Sequence, residues 1–200
     1  MWLNDEVINF HMNMLQERDG TLCAVSNSSR QPSHFFSIFF MNKLLEFGTY
    51  TYGNVSSWSK KIDVFTQDKI FVPINIDNSH WVMLIVYLSI KTIKYYDSMG
   101  GNGGVFLEAM LHYLKDESEQ RSKFRRPRVT FDITDWILTS AGNRCPQQNN
   151  GYDCRAFTVL HADFISDDLP LHFSQANVDS FRMKMVAAIL RGNLDYSVTG

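Results

Sequence analysis

Apolar residues recur along this chain first at helical spacing, then at strand spacing, and at helical spacing again towards the end. Val7, Ile8, Met12 and Leu15 form one face of a helix that Asn4 or Asp5 can cap and that extends to about residue 16, with Trp2 just outside its start. Pro32 opens a second apolar helix, predicted over 33–47 and closed by Gly48. Residues 69–76, 81–88 and 92–96 are rich in β-branched and aromatic side chains, and Asp77, Asn78 and Ser79 separate the first two, so three strands of one sheet are expected. Pro73 removes a ladder donor from the first strand, which places that strand at an edge or puts a bulge in it. A glycine cluster, Gly100, Gly101, Gly103 and Gly104, turns the chain into a helix over 105–116, and residues 131–139 alternate loosely enough for another strand. An apolar helix over 156–165 and an amphipathic one over 174–190 follow. Helices, then a sheet, then helices predict an α+β domain and not a doubly wound one.

At 200 residues and 44% hydrophobic content the chain can bury one sizeable core, and a single catalytic domain over 1–200 is expected. The 19 basic and 21 acidic side chains nearly cancel, so no global field favours nucleic acid as a partner. Any charged partner must be met by a local patch, of which the basic loop at 121–128 is one candidate. The longest plain apolar run, 81–88, is too short to cross a bilayer, and no basic-then-apolar leader opens the chain. Cys23, Cys145 and Cys154 are odd in number and irregularly spaced, which fits neither a disulfide framework nor a zinc site. The expectation is a monomer of the nucleus or cytoplasm, without membrane contact, metal or cofactor.

Cys154 ends a polar, turn-rich run and begins an apolar segment. A cysteine where a loop enters a helix meets exposed backbone N–H groups and the positive end of the helix dipole, both of which favour thiolate. It also needs a base. His80 opens the second strand and Asp97 ends the third, so a turn near 89–91 that reverses the chain brings the carboxylate back to the imidazole. Asp97 can then orient the ring and the ring can activate the thiol, a set that suggests a cysteine protease. An oxyanion needs preorganised donors, and either Gln147 or Gln148 can join the Cys154 N–H in supplying them.

With these residues assembled, the chain resembles the SUMO-specific, ubiquitin-like-protein protease family of the adenovirus-proteinase-like clan. The matching motifs are Trp2-Leu3-Asn4-Asp5, Val72-Pro73-Ile74 before His80-Trp81, Tyr96-Asp97-Ser98-Met99-Gly100, and Pro146-Gln147-Gln148 through Gly151-Tyr152-Asp153-Cys154. They cover nearly the whole chain in the family's order. The resemblance implies a papain-like core with a permuted catalytic order, in which Cys154 is nucleophile, His80 base, Asp97 its orienter, and Gln148 rather than Gln147 the oxyanion donor. It further implies that Trp2 and Trp81 enclose the substrate's Gly-Gly tail, that Phe39 and Met99 lie near that channel, and that Asp5 meets the globular body of SUMO. The expected activity is cleavage after Gly-Gly in SUMO precursors and conjugates. The alternatives are a protease for a Rub/Nedd-type modifier and a weak SUMO-binding module. Two departures stand out: Arg155 where the family has glycine, and Ser56-Ser57 where relatives carry basic residues.

Overall fold

The computed structural model of the protein describes residues 5–25, 29–123, 132–192 and 194. In chain order its elements are α1 (Asp5–Ala24), β1 (His34–Phe35), α2 (Phe40–Leu44), β2 (Leu45–Glu46), β3 (Thr49–Tyr50), β4 (Lys69–Ile76), β5 (His80–Tyr87), β6 (Thr92–Tyr96), α3 (Gly104–Ser122), β7 (Ile137–Ser140), α4 (Cys154–Ser166) and α5 (Val178–Arg191). The main sheet has the order β1-β4-β5-β6-β7, antiparallel through β4, β5 and β6 and parallel at both flanks.

Alternation along β5 divides the interior in two. Trp81, Met83 and Ile85 join a core with α1, α4 and α5, whereas Val82, Leu84 and Val86 join one with α2 and α3. Because helices cover both faces, β5 has no polar side to show, which is why its sequence is a continuous apolar run. Helix α4 is enclosed almost all round: every residue except Arg155 is buried.

Several expectations are corrected. The helix anticipated over 33–47 is interrupted, because Phe35 leaves helical geometry to pair with Phe71 of β4 and stack on its ring at 4.4 Å between centroids. Only Phe40–Leu44 remains helical, and the chain then turns through the β2–β3 hairpin, with Phe47 and Gly48 at positive φ. Helix α1 extends to Ala24 and not to 16, since its second half carries the buried Asp19, which accepts the backbone N–H of Ser33 at 2.7 Å. The strand expected over 131–139 is confined to Ile137–Ser140; residues 124–131, which hold most of the basic loop, lie outside the described residues. The last helix begins at Val178, after a short 3-10 turn at Gln175–Asn177 with a capping box from Ser174. Pro73 causes no bulge, as β4 and β5 stay in register through the Pro73–Met83 pair. It sits instead just past the end of β1, where Phe71 accepts the Phe36 N–H and the next backbone group facing that side, Pro73, has no proton to give.

Helix α1 is fastened to α4 by a buried ion pair. Arg18 donates to the Asp163 carboxylate at 2.7 Å and to the Ser166 hydroxyl at 2.9 Å, with His11 at 3.9 Å from the second carboxylate oxygen. Burial pushes the Asp163 carboxyl up, but His11 and Arg18 overcome it and hold the group below its usual range. A depressed folded pKa means stability that is present above the unfolded value, about 4, and lost as pH falls through the folded one. Asp163→Asn should therefore destabilise the protein by about 3 kcal/mol at neutral pH, and urea melts should show this gap closing as pH falls below about 4. A gap independent of pH would mean that packing, not charge, accounts for it.

Candidate active site

The β4–β5 turn is a three-residue loop in which Asp77 and Asn78 take positive φ, a conformation these side chains tolerate well. It pairs Ile76 with His80, which fixes His80 at the mouth of β5. The antiparallel return brings Tyr96 opposite Met83, and Asp97 leaves the sheet one residue later. The outcome is a hydrogen bond of 2.8 Å between His80 Nε2 and Asp97 Oδ1. With Nε2 engaged, Nδ1 is the ring nitrogen left to act on Cys154.

Asp97 is only 4% exposed, so its charge has to be met by donors. Met99 N–H donates to Oδ1 at 2.7 Å and Gly101 N–H to Oδ2 at 3.1 Å. Glycine is needed at 101 because a Cβ there would lie 2.4 Å from Asp97 Oδ2. Burial raises the Asp97 pKa, but the His80 bond and the two amide donors outweigh it and leave the carboxyl below its ordinary value. In the other direction, the Asp97 hydrogen bond, reinforced by that to Cys154, raises His80 to about 9. Burial alone would push the Cys154 thiol up; the His80 bond, the Trp81 N–H and the charges of His80 and Arg155 pull it below the ordinary thiol value. The three groups together favour negative charge on the sulfur and a proton on the ring. His161, two turns further along α4, is by contrast wholly buried against Tyr96, Phe157 and Phe173 and is pushed down to about 3 by burial.

The two glutamines part company. Gln147 turns its amide to the carbonyls of Asp97 and Cys145, both at 3.1 Å, so it braces the loop from within. Gln148 accepts the Ser98 hydroxyl at 2.7 Å on Oε1 and gives its backbone N–H to Ser98 O at 2.9 Å, which orients its side-chain amide; one amide proton goes to Asn150 O at 2.5 Å. Trp81 is fully buried, and its indole N–H has no hydrogen-bond partner among the described residues. Met99 and Phe39 are exposed, at 61% and 56%, and Asp5 is half buried at the start of α1. Trp2 lies outside the described residues. Arg155 is half buried, not turned fully outward, and its charge reaches the thiol. Sequence reasoning did not single out Ser98 or Gly101 as site supports, nor Asn150, Asp153, Gln175 and Arg182 around the cysteine loop.

A profile described as the Ulp1 protease family, C-terminal catalytic domain, matches residues 1–194. The chain belongs to that family. It is 40% identical over 194 residues to human sentrin-specific protease 2, covering 96% of this chain and 30% of that protein. To the putative ubiquitin-like-specific protease 1B of Arabidopsis thaliana it is 37% identical over 204 residues, 97% of this chain and 55% of the plant protein. It thus spans well under two thirds of the curated relatives it matches. Among solved structures, the C-terminal Ulp1 protease domain in complex with Smt3, the yeast ortholog of SUMO, superposes with a TM-score of 0.75 at 31% identity, covering 95% of this chain and 77% of that one. Ulp1 with its catalytic cysteine oxidised to a sulfenic acid matches at TM-score 0.77 and 31% identity, over 97% and 80%. The fold is the mixed α+β protease core of this family, as expected from the motifs.

Since Asp97 is the largest cause of the raised His80 pKa, Asp97→Asn should move the alkaline limb of the kcat/KM profile from about 9 towards the ordinary histidine range. The imidazolium that donates to the leaving group is then lost at lower pH, and turnover should fall by about 10²-fold or more. An alkaline limb that stays in place would detach Asp97 from the titrating pair.

Proposed function

We propose that the chain, as one catalytic unit over 1–200, is a cysteine protease and isopeptidase that cleaves after the C-terminal Gly-Gly of SUMO in precursors and in SUMO–protein conjugates. The observation that carries this reading is the Asp97–His80–Cys154 relay at the start of a buried helix, in a chain that belongs to the Ulp1 protease family. The likeness to a domain solved with Smt3 supports the choice of modifier.

The Cys154 thiolate attacks the carbonyl carbon of the terminal glycine, and the bond to oxygen becomes an oxyanion. That oxyanion is received by the Cys154 N–H and by the Gln148 amide, which Ser98 orients. His80 hands its proton to the departing lysine amine or peptide nitrogen, the C–N bond breaks, and a thioester remains. Neutral His80 then takes a proton from water, whose oxygen displaces the sulfur and frees the glycine carboxylate. Asp97 keeps the ring oriented through both half-reactions and remains ionised.

Trp2 and Trp81 are assigned to the Gly-Gly channel, Met99 and Phe39 to its approach, and Asp5 to the body of SUMO. Support comes from placement: the backbone N–H of Trp81 faces the Cys154 sulfur, and Met99 N–H binds the same carboxylate oxygen as His80. Glycine suits such a channel because any Cβ beside an indole would collide with it. A nuclear or cytoplasmic setting is consistent with three free thiols, and no helix among the described residues is long and apolar enough to cross a membrane.

The test uses electrophilic probes ending in Gly-Gly, built on SUMO and on a Rub/Nedd-type modifier. The SUMO probe should modify Cys154 about 10²-fold faster or more, on the order of the discrimination such an interface supplies. Cys154→Ala should abolish cleavage of a SUMO conjugate while leaving its binding within about twofold. Faster labelling by the other modifier would reassign the substrate, and binding of SUMO without any labelling would make the chain a binding module.

A further inference from the structure

Asp153 stands at the N-cap of α4, immediately before Cys154, yet its side chain makes no capping bond to that helix. An aspartate in this position ordinarily turns its carboxylate onto the N–H groups of the first turn. Here it is drawn the other way. Oδ1 accepts from Arg182 of α5, and Oδ2 accepts from Gln175 Nε2 at 2.5 Å and from Asn150 Nδ2 at 2.8 Å. The carboxylate is 4% exposed, so these donors replace water as well as the cap.

The same residues secure the loop that leads to the thiol. Gln175 Oε1 accepts the Asn149 N–H at 3.1 Å, so one carboxamide holds both the backbone of the loop and the acid at its end. Asn150 Oδ1 accepts the N–H groups of Tyr152 and Asp153, each at 3.1 Å, and Asn150 O receives the Gln148 amide. A chain of contacts therefore runs from α5 through Asp153 and Asn150 to Gln148.

We propose that Arg182 is a positioning residue of the active site, which holds the Asp153 carboxylate off the amino end of the nucleophile helix. Two consequences follow from elementary electrostatics. The backbone donors at the start of α4 stay uncapped for negative charge on the sulfur and on the oxyanion. The carboxylate adjoining the nucleophile is matched by a guanidinium instead of opposing the thiolate. The other charged groups that act on the sulfur are His80, with Asp97 behind it, and Arg155.

The inference rests on Cys154 being the nucleophile and adds the device that pairs the carboxylate beside it. The experiment is the pH dependence of Cys154 alkylation by iodoacetamide, site-resolved by mass spectrometry, together with kcat and KM on a SUMO conjugate. Arg182→Met should raise the alkylation midpoint by about one unit and lower kcat on the order of 10-fold with KM within about twofold. Arg182→Lys should keep most of the wild-type behaviour. Adding Asp153→Asn to Arg182→Met should return the midpoint towards wild type, because the stray anion is then gone, whereas a purely structural role predicts a double variant no better than the single one. If Arg182→Met does not fold, Gln175→Glu, which sets a carboxylate against Asp153, should raise the midpoint in its place. An unchanged midpoint in either folded variant, or a double variant worse than Arg182→Met, overturns the proposal. A wild-type Cys154 that alkylates no faster than Cys23 at neutral pH would instead remove the nucleophile assignment on which it rests.

Discussion

A carboxylate removed from water must be surrounded by donors, and Asp97 is such a carboxylate at the centre of this fold. Its three donors are His80 and the N–H groups of Met99 and Gly101, so they come from the mouth of β5 and from the turn after β6. Satisfying them fixes where the imidazole points, what conformation residues 98–101 take, and why position 101 has no side chain. Ser98, held in that turn, exchanges two hydrogen bonds with Gln148 and so ties the cysteine loop to the same carboxylate. Meeting one buried charge thus organises the proposed base, its orienter and the proposed oxyanion donor.

Cys154 is held by a different means. Helix α4 is clad on nearly every side by β5, α1 and α5, so its amino end is carried by packing rather than by its own propensity. The ion pair of Arg18 with Asp163 fastens its far half to α1, and the loop before it is clasped by Gln175 and Arg182. The thiol therefore sits where two packed elements meet, the end of the central strand that bears His80 and the helix that bears Cys154. Only 1% of the Cys154 surface is exposed, and the raised pKa that burial would impose is reversed by His80 across that junction.

Much of this was legible in the sequence because the signals were local. The continuous apolar run of β5, the turn formers at 77–79 and the polar-to-apolar step at Cys154 located the strands and the helix start, and with them the order His80, Asp97, Cys154. What was misread depended on distant partners. Residues 33–47 carry enough apolar side chains for a helix, and only the pairing and stacking of Phe35 with Phe71 in β4 divert them. The length of α1 depends on Asp19 meeting Ser33 and Arg30, which no periodicity records. Gln147 and Gln148 are indistinguishable by type and differ only in where Ser98 and the carbonyl of Asp97 lie. Arg182 is 29 residues from the aspartate it holds, and nothing in the spacing marked it.

The account turns on one electrostatic statement: His80 keeps its proton well above the ordinary histidine range and draws the Cys154 thiol towards thiolate. Following the His80 ring nitrogens by NMR through a pH titration tests it without substrate. The account predicts a protonated ring at neutral pH with a midpoint near 9, lowered when Cys154 is replaced by alanine because one of the two groups that hold the proton is gone. A neutral His80 ring that titrates near the ordinary histidine value of about 6.5, with or without the thiol, would contradict it.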